Sequence, residues 1–264
     1  MKSALPPKNE LERLKVLNKY RILDTLPEQE YDAITKIAST ICNTPIALVS
    51  IIDEKRQWFK SNHGLEARET PREYAFCTHS ILNPNKIFEI EDATKDERFS
   101  DNPLTTHAPN VIFYAGVPLN TSEGYPLGTL CVIDNKPKKL NKTQKDTLKL
   151  LANQVVKLLE LRKSNFSLEK ANNDILKLNE RLNNFAFRLT HDLKSPVNNV
   201  SFLIDLIKED YINLFKDTKA EDYLNMISNR ILYMESLIND ILEYTKVSTK
   251  NIEYIEFNIE GLIK

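Results

Sequence analysis

Leu189–Val200 reads LTHDLKSPVNNV and lies inside a long stretch of helical periodicity. It contains Pro196, the only proline after Pro137. Proline in a helix interior removes an amide hydrogen and costs on the order of 3 kcal/mol. The lost hydrogen bond would end at the carbonyl of Asp192, so the sequence predicts a helix kink at the turn that carries His191.

The helical phase of this stretch predicts that His191 points to solvent. It lies two residues from Leu189 and from Leu193, roughly 200° around the helix from each. The residues three, four and seven positions beyond His191 share its face, and Asp192 flanks it. That polar strip consists of Lys194, Ser195 and Asn198; the predicted core face consists of Leu189, Leu193, Val200, Leu203 and Ile204.

An exposed imidazole beside a carboxylate is suited to nucleophilic chemistry. If Asp192 accepts a hydrogen bond from one ring nitrogen of His191, the other nitrogen presents its lone pair outward. That nitrogen could capture a phosphoryl group by in-line transfer, with Lys194 neutralising charge. Taken singly, an exposed histidine is usually a solvated surface residue and a proline kink needs no function; the hypothesis rests on their coincidence.

The chain divides into two halves near Asn141. Four of the five glycines and eleven of the twelve prolines precede residue 138, so turns concentrate in the first half. Helical and strand periods alternate there, which predicts an α+β domain with helices packed on an antiparallel sheet. The predicted helices are ELERLKVLNKYRIL and EQEYDAITKIASTIC; the predicted strands are PIALVSIID, QWFKS, IFEIED and a hairpin of VIFYAGVPLNT and GTLCVIDNK.

The second half has helical period almost throughout. Its first part carries a heptad seam, which favours a parallel two-stranded coiled coil and hence a homodimer. The seam consists of Leu161, Leu168, Ala171, Ile175, Leu178, Leu182, Phe185 and Leu189.

A second helix follows the predicted connection FKDTKAED. Two such helices per chain expose too much apolar surface for a monomer, so a dimeric four-helix bundle is expected. The apolar positions of the second helix are Ile227, Ile231, Met234, Ile238 and Ile241, and the tail YIEFNIE has strand period.

Composition limits the classes of partner. The 264 residues carry a net charge of −1, so no overall field favours nucleic acid or an anionic membrane. Cys42, Cys77 and Cys131 are few and widely spaced, which indicates buried apolar roles in a reducing compartment. Because the N-terminus lacks a signal-peptide core and the apolar runs are short, we expect no membrane insertion and a cytoplasmic protein.

FAFRLTHDLKSPVNNV (185–200) and LINDILEYTKV (237–247) resemble the dimerisation and phosphoacceptor domain of sensor histidine kinases of two-component systems. The similarity covers about residues 180–248. It implies that His191 is autophosphorylated, that Asp192 assists as acid or base, and that Ser195 stands where the family positions water for dephosphorylating a partner. It also implies phosphotransfer to an aspartate of a response-regulator receiver domain.

Five segments of the first half resemble GAF sensory domains that are fused to such kinases. The resemblance covers about residues 10–162 and implies a sensory role with an unknown small-molecule ligand. Cys77 and His79 are too few for a metal site, so we predict a structural role for them and no metal or cofactor in this chain. The segments are ERLKVLNKYRILDTLPE, FCTHSI, EDATKDERFSDNP, VIFYAGVPL and LGTLCVIDN.

The predicted domains are a GAF domain (1–161), a coiled-coil signalling helix (162–182), the dimerisation and phosphoacceptor domain (183–248) and the start of an ATP-binding domain (249–264). Gly261 is the sole glycine after Gly128, so no phosphate-cradling loop is expected. ATP and Mg²⁺ are therefore expected only through a separate catalytic domain, and the chain alone is expected to be inactive.

Two alternatives compete with this hypothesis. In one, the chain is a non-catalytic dimeric scaffold that senses a small molecule and binds a receiver domain or a partner kinase. In the other, the second half is only a structural coiled coil.

Overall fold

The computed structural model describes residues 1–216 and 218–247. It forms two compact units, and the boundary between them in the sequence lies between Leu168 and Glu169. The predicted tail strand YIEFNIE lies outside the described residues. The predicted domain limits at 161, 182 and 248 stay predictions.

The first unit is built on one antiparallel sheet, as predicted. Its six strands follow the order β3-β2-β1-β6-β5-β4. The three-residue strand β3 escaped prediction because it is too short to show a period. The strands are β1 (Ile46–Ile52), β2 (Arg56–His63), β3 (Glu69–Pro71), β4 (Phe88–Ile90), β5 (Phe113–Asn120) and β6 (Pro126–Asp134).

The predicted hairpin is the β5–β6 pair, whose register runs from Phe113 opposite Asp134 to Asn120 opposite Pro126. Gly124 takes a left-handed φ of 83° in its turn. Gly128 is required for a different reason, since a Cβ there would lie 1.8 Å from the carbonyl oxygen of Ser50.

The sheet separates two apolar layers. Alternate residues of β1 belong to different layers, Val49 to one and Leu48 to the other. The first layer includes helices α1 (Glu10–Tyr20) and α2 (Gln29–Cys42) and the start of α5 (Lys142–Phe215). The second is covered by α3 (Phe76–Ser80), by α4 (Pro103–Thr106) and by their connections.

A charged cluster fixes α1 to the sheet. Arg13 is fully buried, donates to the carbonyl of Ile52 (2.8 Å) and pairs with Glu10 (2.7 Å). Arg72 reaches the same carboxylate at 2.6 Å. Burial alone would raise the pKa of Glu10, but the two guanidinium groups lower it to about 2.

The second unit contains the later part of α5 and helix α6 (Lys219–Val247). They form a hairpin in which Val197, Ile204, Ile231 and Ile238 are each 6% exposed. Within the described residues, α5 keeps helical dihedral angles through Pro196, and its non-helical residue is Tyr211 (φ −122°, ψ 17°).

Within the single chain, Ile204 is the one residue of the predicted core face that is buried, and burial of the other four in a dimer stays a prediction. Leu189, Leu193, Val200 and Leu203 remain 44–56% exposed in the single chain. The buried stripe is instead Thr190, Val197 and Ile204, spaced by seven, because this stripe faces α6. The helix has two apolar stripes, and periodicity could not tell which one the hairpin buries.

The apolar positions predicted on α6 divide in the same way. Ile231 and Ile238 are buried, whereas Ile227, Met234 and Ile241 are about half exposed. On α5, the larger members of the predicted heptad seam are also exposed, from Leu161 to Leu189. Among the described helices, none has both the length and the apolar character needed to cross a bilayer.

Candidate functional site

His191 lies on the exposed face of α5, as its helical phase predicted. Its side chain is 80% exposed and that of Asp192 is 79% exposed. The distance from Nδ1 of His191 to Oδ1 of Asp192 is 3.5 Å, the outer limit of a hydrogen bond. After a small side-chain adjustment, the carboxylate can therefore accept a hydrogen bond from Nδ1–H of His191. Nε2 then remains free on the solvent side.

The predicted polar strip is exposed as well. Lys194, Ser195 and Asn198 all lie on the surface of α5, and so does Pro196. Because Pro196 has no amide hydrogen, the carbonyl of Asp192 lacks its usual donor four residues later. One backbone hydrogen bond is thus missing at the turn that carries His191, but the predicted kink there is not marked by non-helical dihedral angles, which occur at Tyr211 instead.

The buried Thr190 fixes the orientation of this site, and sequence reasoning missed it. Its side chain is 2% exposed, and its hydroxyl donates to the carbonyl of Ala186 at 2.6 Å. Thr190 lies seven residues before Val197, which packs against α6, so the next residue, His191, turns away from that stripe. The available signal was its spacing of seven from Val197 and fourteen from Ile204.

The arrangement can present a nucleophile to a large partner. An imidazole exposed on a helix surface is accessible to another protein domain. The positive charge of Lys194 lies on the same face and can neutralise a bound phosphoryl group.

The first unit contains a cavity of about 260 Å³ in the second apolar layer. Its wall includes the aromatic rings of Phe59, Phe76 and Tyr114. Gln57 and Thr70 also line it, on the paired strands β2 and β3. No sequence motif had indicated these two residues.

Cys77 lies on the wall of the same cavity. Its Sγ accepts hydrogen bonds from Tyr114 (3.1 Å) and Thr129 (2.9 Å). Burial raises the pKa of the thiol, but hydrogen bonds from neighbours that include Cys131 and Thr129 outweigh burial and lower it to about 7. All three cysteines are free and buried.

His79, two residues after Cys77, packs among aromatic rings. Its ring meets that of Phe99 edge to face at 4.9 Å and stacks on that of Phe88 at 6.2 Å. Burial lowers the pKa of its imidazole. These contacts are those of a packing residue.

Polar contacts fasten the start of α5 to the first unit. Arg162 binds Glu28 at 2.8 Å, and the same Glu28 oxygen accepts from the fully buried Lys60 of β2 at 2.5 Å. Glu160 accepts from the hydroxyl of Tyr20 at 2.7 Å. Strand β2 therefore lines the cavity with Phe59 and is joined through Lys60 to α5.

Comparisons with known families match both halves of the chain. The GAF domain family matches residues 27–159, half of the chain. The His Kinase A (phospho-acceptor) domain family matches residues 181–250, which include His191.

Several curated proteins are similar to parts of the chain. A cyclic di-GMP phosphodiesterase of Pseudomonas aeruginosa is 43% identical over 132 residues, 50% of this chain and 22% of that protein. A phytochrome-like protein of Synechocystis is 32% identical over 46% of this chain and 15% of its own length. Hybrid signal transduction histidine kinase B of Dictyostelium discoideum is 28% identical over 39% of this chain and 5% of its own length. The chain thus spans less than a quarter of the length of the curated relatives it matches.

Proposed function

The chain belongs to the GAF domain family and carries a His Kinase A phospho-acceptor domain, and from this premise we propose that it senses a small molecule and is phosphorylated on His191. It then acts as the sensory and phosphoacceptor portion of a sensor histidine kinase. The observation that carries the proposal is the 80% exposed His191, 3.5 Å from Asp192, inside the phospho-acceptor match.

The proposed reaction uses Nε2 of His191 as the nucleophile. Nε2 attacks the γ-phosphorus of ATP held by a separate kinase catalytic domain, so a P–N bond forms as the bond to the ADP oxygen breaks. Asp192 holds the proton on Nδ1 and stabilises the cationic ring, while Lys194 offsets phosphoryl charge. The phosphoryl group then passes to an aspartate of a receiver domain.

We propose that the active form is a homodimer in the cytoplasm. The large residues of the α5 seam, among them Leu178 and Leu182, are 44–67% exposed in the single chain. A second copy of α5 would cover them. The three free cysteines favour a reducing compartment.

Sensing is proposed to reach His191 along α5. A ligand in the cavity would contact β2, whose Lys60 shares the carboxylate of Glu28 with Arg162. A shift of β2 would therefore alter the contacts that hold the first turns of the signalling helix.

The direct test supplies a purified histidine kinase catalytic domain and γ-³²P-ATP to the full chain. We expect acid-labile, alkali-stable label on the chain, and none on His191→Gln. His63→Gln, which changes an exposed histidine of the first unit, is the matched control and keeps its label. Label retained in His191→Gln would contradict the assignment.

A second variant tests the role of Asp192. Asp192→Asn is expected to slow labelling roughly 100-fold, because the amide no longer stabilises the cationic ring. If the wild-type chain takes no label yet binds receiver domains, the chain is the non-catalytic scaffold.

A further inference from the structure

The cavity of the first unit has a chemical character that restricts its ligand. It lies against the aromatic rings of Phe59, Phe76 and Tyr114. Among the described residues that line it there is no Asp, Glu, His, Lys or Arg, and its ionisable groups are the thiol of Cys77 and the phenol of Tyr114. A carboxylate placed there would lose its hydration without gaining a positive partner, so the cavity selects against anionic ligands.

Two polar atoms on the wall lack partners among the described residues. They are Oε1 of Gln57 and Oγ1 of Thr70. Gln57 is only 5% exposed, and its amide nitrogen donates to Ser50 at 3.2 Å, which leaves the amide oxygen unused. A buried acceptor of this kind calls for a donor.

The two atoms belong to residues that lie opposite each other on neighbouring strands. Gln57 of β2 and Thr70 of β3 are direct partners in the antiparallel ladder, so their side chains project from the same face as neighbours. Gln57 Oε1 can only accept a hydrogen bond, whereas the hydroxyl of Thr70 can donate or accept. A single hydroxyl group between them would satisfy both, donating to Gln57 and accepting from Thr70.

We infer that the cavity binds a neutral aromatic alcohol, whose ring packs against Phe59, Phe76 and Tyr114 and whose hydroxyl group lies between Gln57 and Thr70. The inference rests on the proposed sensory role of the first unit and names its ligand class. Aromatic rings and one polar end match the composition of small-molecule sites in general.

The test is calorimetric titration of the full chain at pH 7 with three probes that share an ethylbenzene skeleton. They are 4-ethylphenol, ethylbenzene, which lacks the hydroxyl, and 4-ethylbenzoate, which replaces it by a charge. We expect 4-ethylphenol to bind roughly five- to a hundredfold more tightly than ethylbenzene, the value of two net hydrogen bonds. The benzoate is expected to bind at least about tenfold more weakly than the phenol.

A matched pair of variants locates the hydroxyl group. Thr70→Val removes one unpartnered buried hydroxyl at unchanged shape, and the preference for the phenol should fall toward one. Thr105→Val is the control, because Thr105 also has an unpartnered buried hydroxyl but does not line the cavity. Gln57→Met should abolish the preference as well, and thermal melting of each variant verifies that it is folded.

The inference is overturned if the wild-type chain binds none of the probes, if phenol and hydrocarbon bind equally, or if the benzoate binds most tightly. It is also overturned if Thr105→Val has the same effect as Thr70→Val. The titrations need no phosphoryl donor, and labelling of His191 needs no ligand. Failure of one experiment therefore leaves the other proposal standing.

Discussion

The carboxylate of Glu10 lies between the guanidinium groups of Arg13 and Arg72, and Arg72 is 62 residues away from it in sequence. The pKa of Glu10 falls from 4.5 to about 2, since the hydrogen bonds from both arginines outweigh the burial that would raise it. The folded state thus binds fewer protons than the unfolded chain, and the cluster stabilises the first unit above pH 4.5. This contribution is lost as the pH falls from 4.5 to about 2.

Glu10→Gln is expected to lower the free energy of unfolding of the first unit by about 2–3 kcal/mol at pH 7, because Arg13 stays buried with a weaker partner. The acid dependence between pH 4.5 and 2 should become shallower. Urea unfolding followed by the fluorescence of Trp58, the single tryptophan, reports on this unit. Glu12→Gln, an exposed position of the same helix, should change neither quantity. Equal loss in both variants would contradict the role of the cluster.

At the scale of single elements, the hairpin of α5 and α6 depends on one narrow stripe. Ile204→Ala should cost about 2–4 kcal/mol of hairpin stability at any protein concentration, because it opens a cavity against α6. Its neighbour Leu203 is 56% exposed. Leu203→Ala should matter only when the chain is concentrated enough to dimerise.

Circular dichroism melting curves at two concentrations 100-fold apart distinguish these effects. An Ile204→Ala effect that disappears on dilution would mean that Ile204 packs against a second chain rather than against α6.

Pro196 is the second feature of α5 that a substitution can test. Pro196→Ala restores the amide that bonds to the carbonyl of Asp192, so the helix should gain up to about 3 kcal/mol. Because the turn beneath His191 becomes stiffer, labelling by the supplied catalytic domain should slow several-fold. Asn199→Ala, at an exposed position nearby, should leave both quantities unchanged. A more stable helix with unchanged labelling would make the proline a structural feature only.

The exposed seam on α5 predicts that two copies of the chain associate. Sedimentation of the full chain should give a dimer, and Leu182→Asp should weaken it at least about tenfold by placing a charge in the seam. Lys177→Asp introduces the same side chain at an exposed position outside the seam and is the control. A Leu182→Asp chain that remains as dimeric as the control would contradict the coiled coil.

Several features of this protein could be predicted because they depend on neighbouring residues. Two apolar runs joined by a glycine-containing loop predict the hairpin of Phe113–Asn120 and Pro126–Asp134, and a helix phase is enough to turn His191 outward. Which apolar stripe α6 covers could not be predicted, since Val197 and Val200 are equally apolar. The choice depends on packing against Ile231 and Ile238 of α6, 34 and 41 residues beyond Val197.

Local patterns along the chain are enough to predict the two kinds of domain, the α+β GAF fold and the helical hairpin, because hydrophobic periods of two and of 3.6 residues are local properties. They are also enough to predict the exposure of His191. The ion pair of Glu10 with Arg72 and the position of Gln57 and Thr70 on one wall of a cavity become visible only in the folded protein. Those contacts arise only when the strands pair and α1 packs on the sheet, because folding brings together residues whose separation along the chain carries no periodic signal.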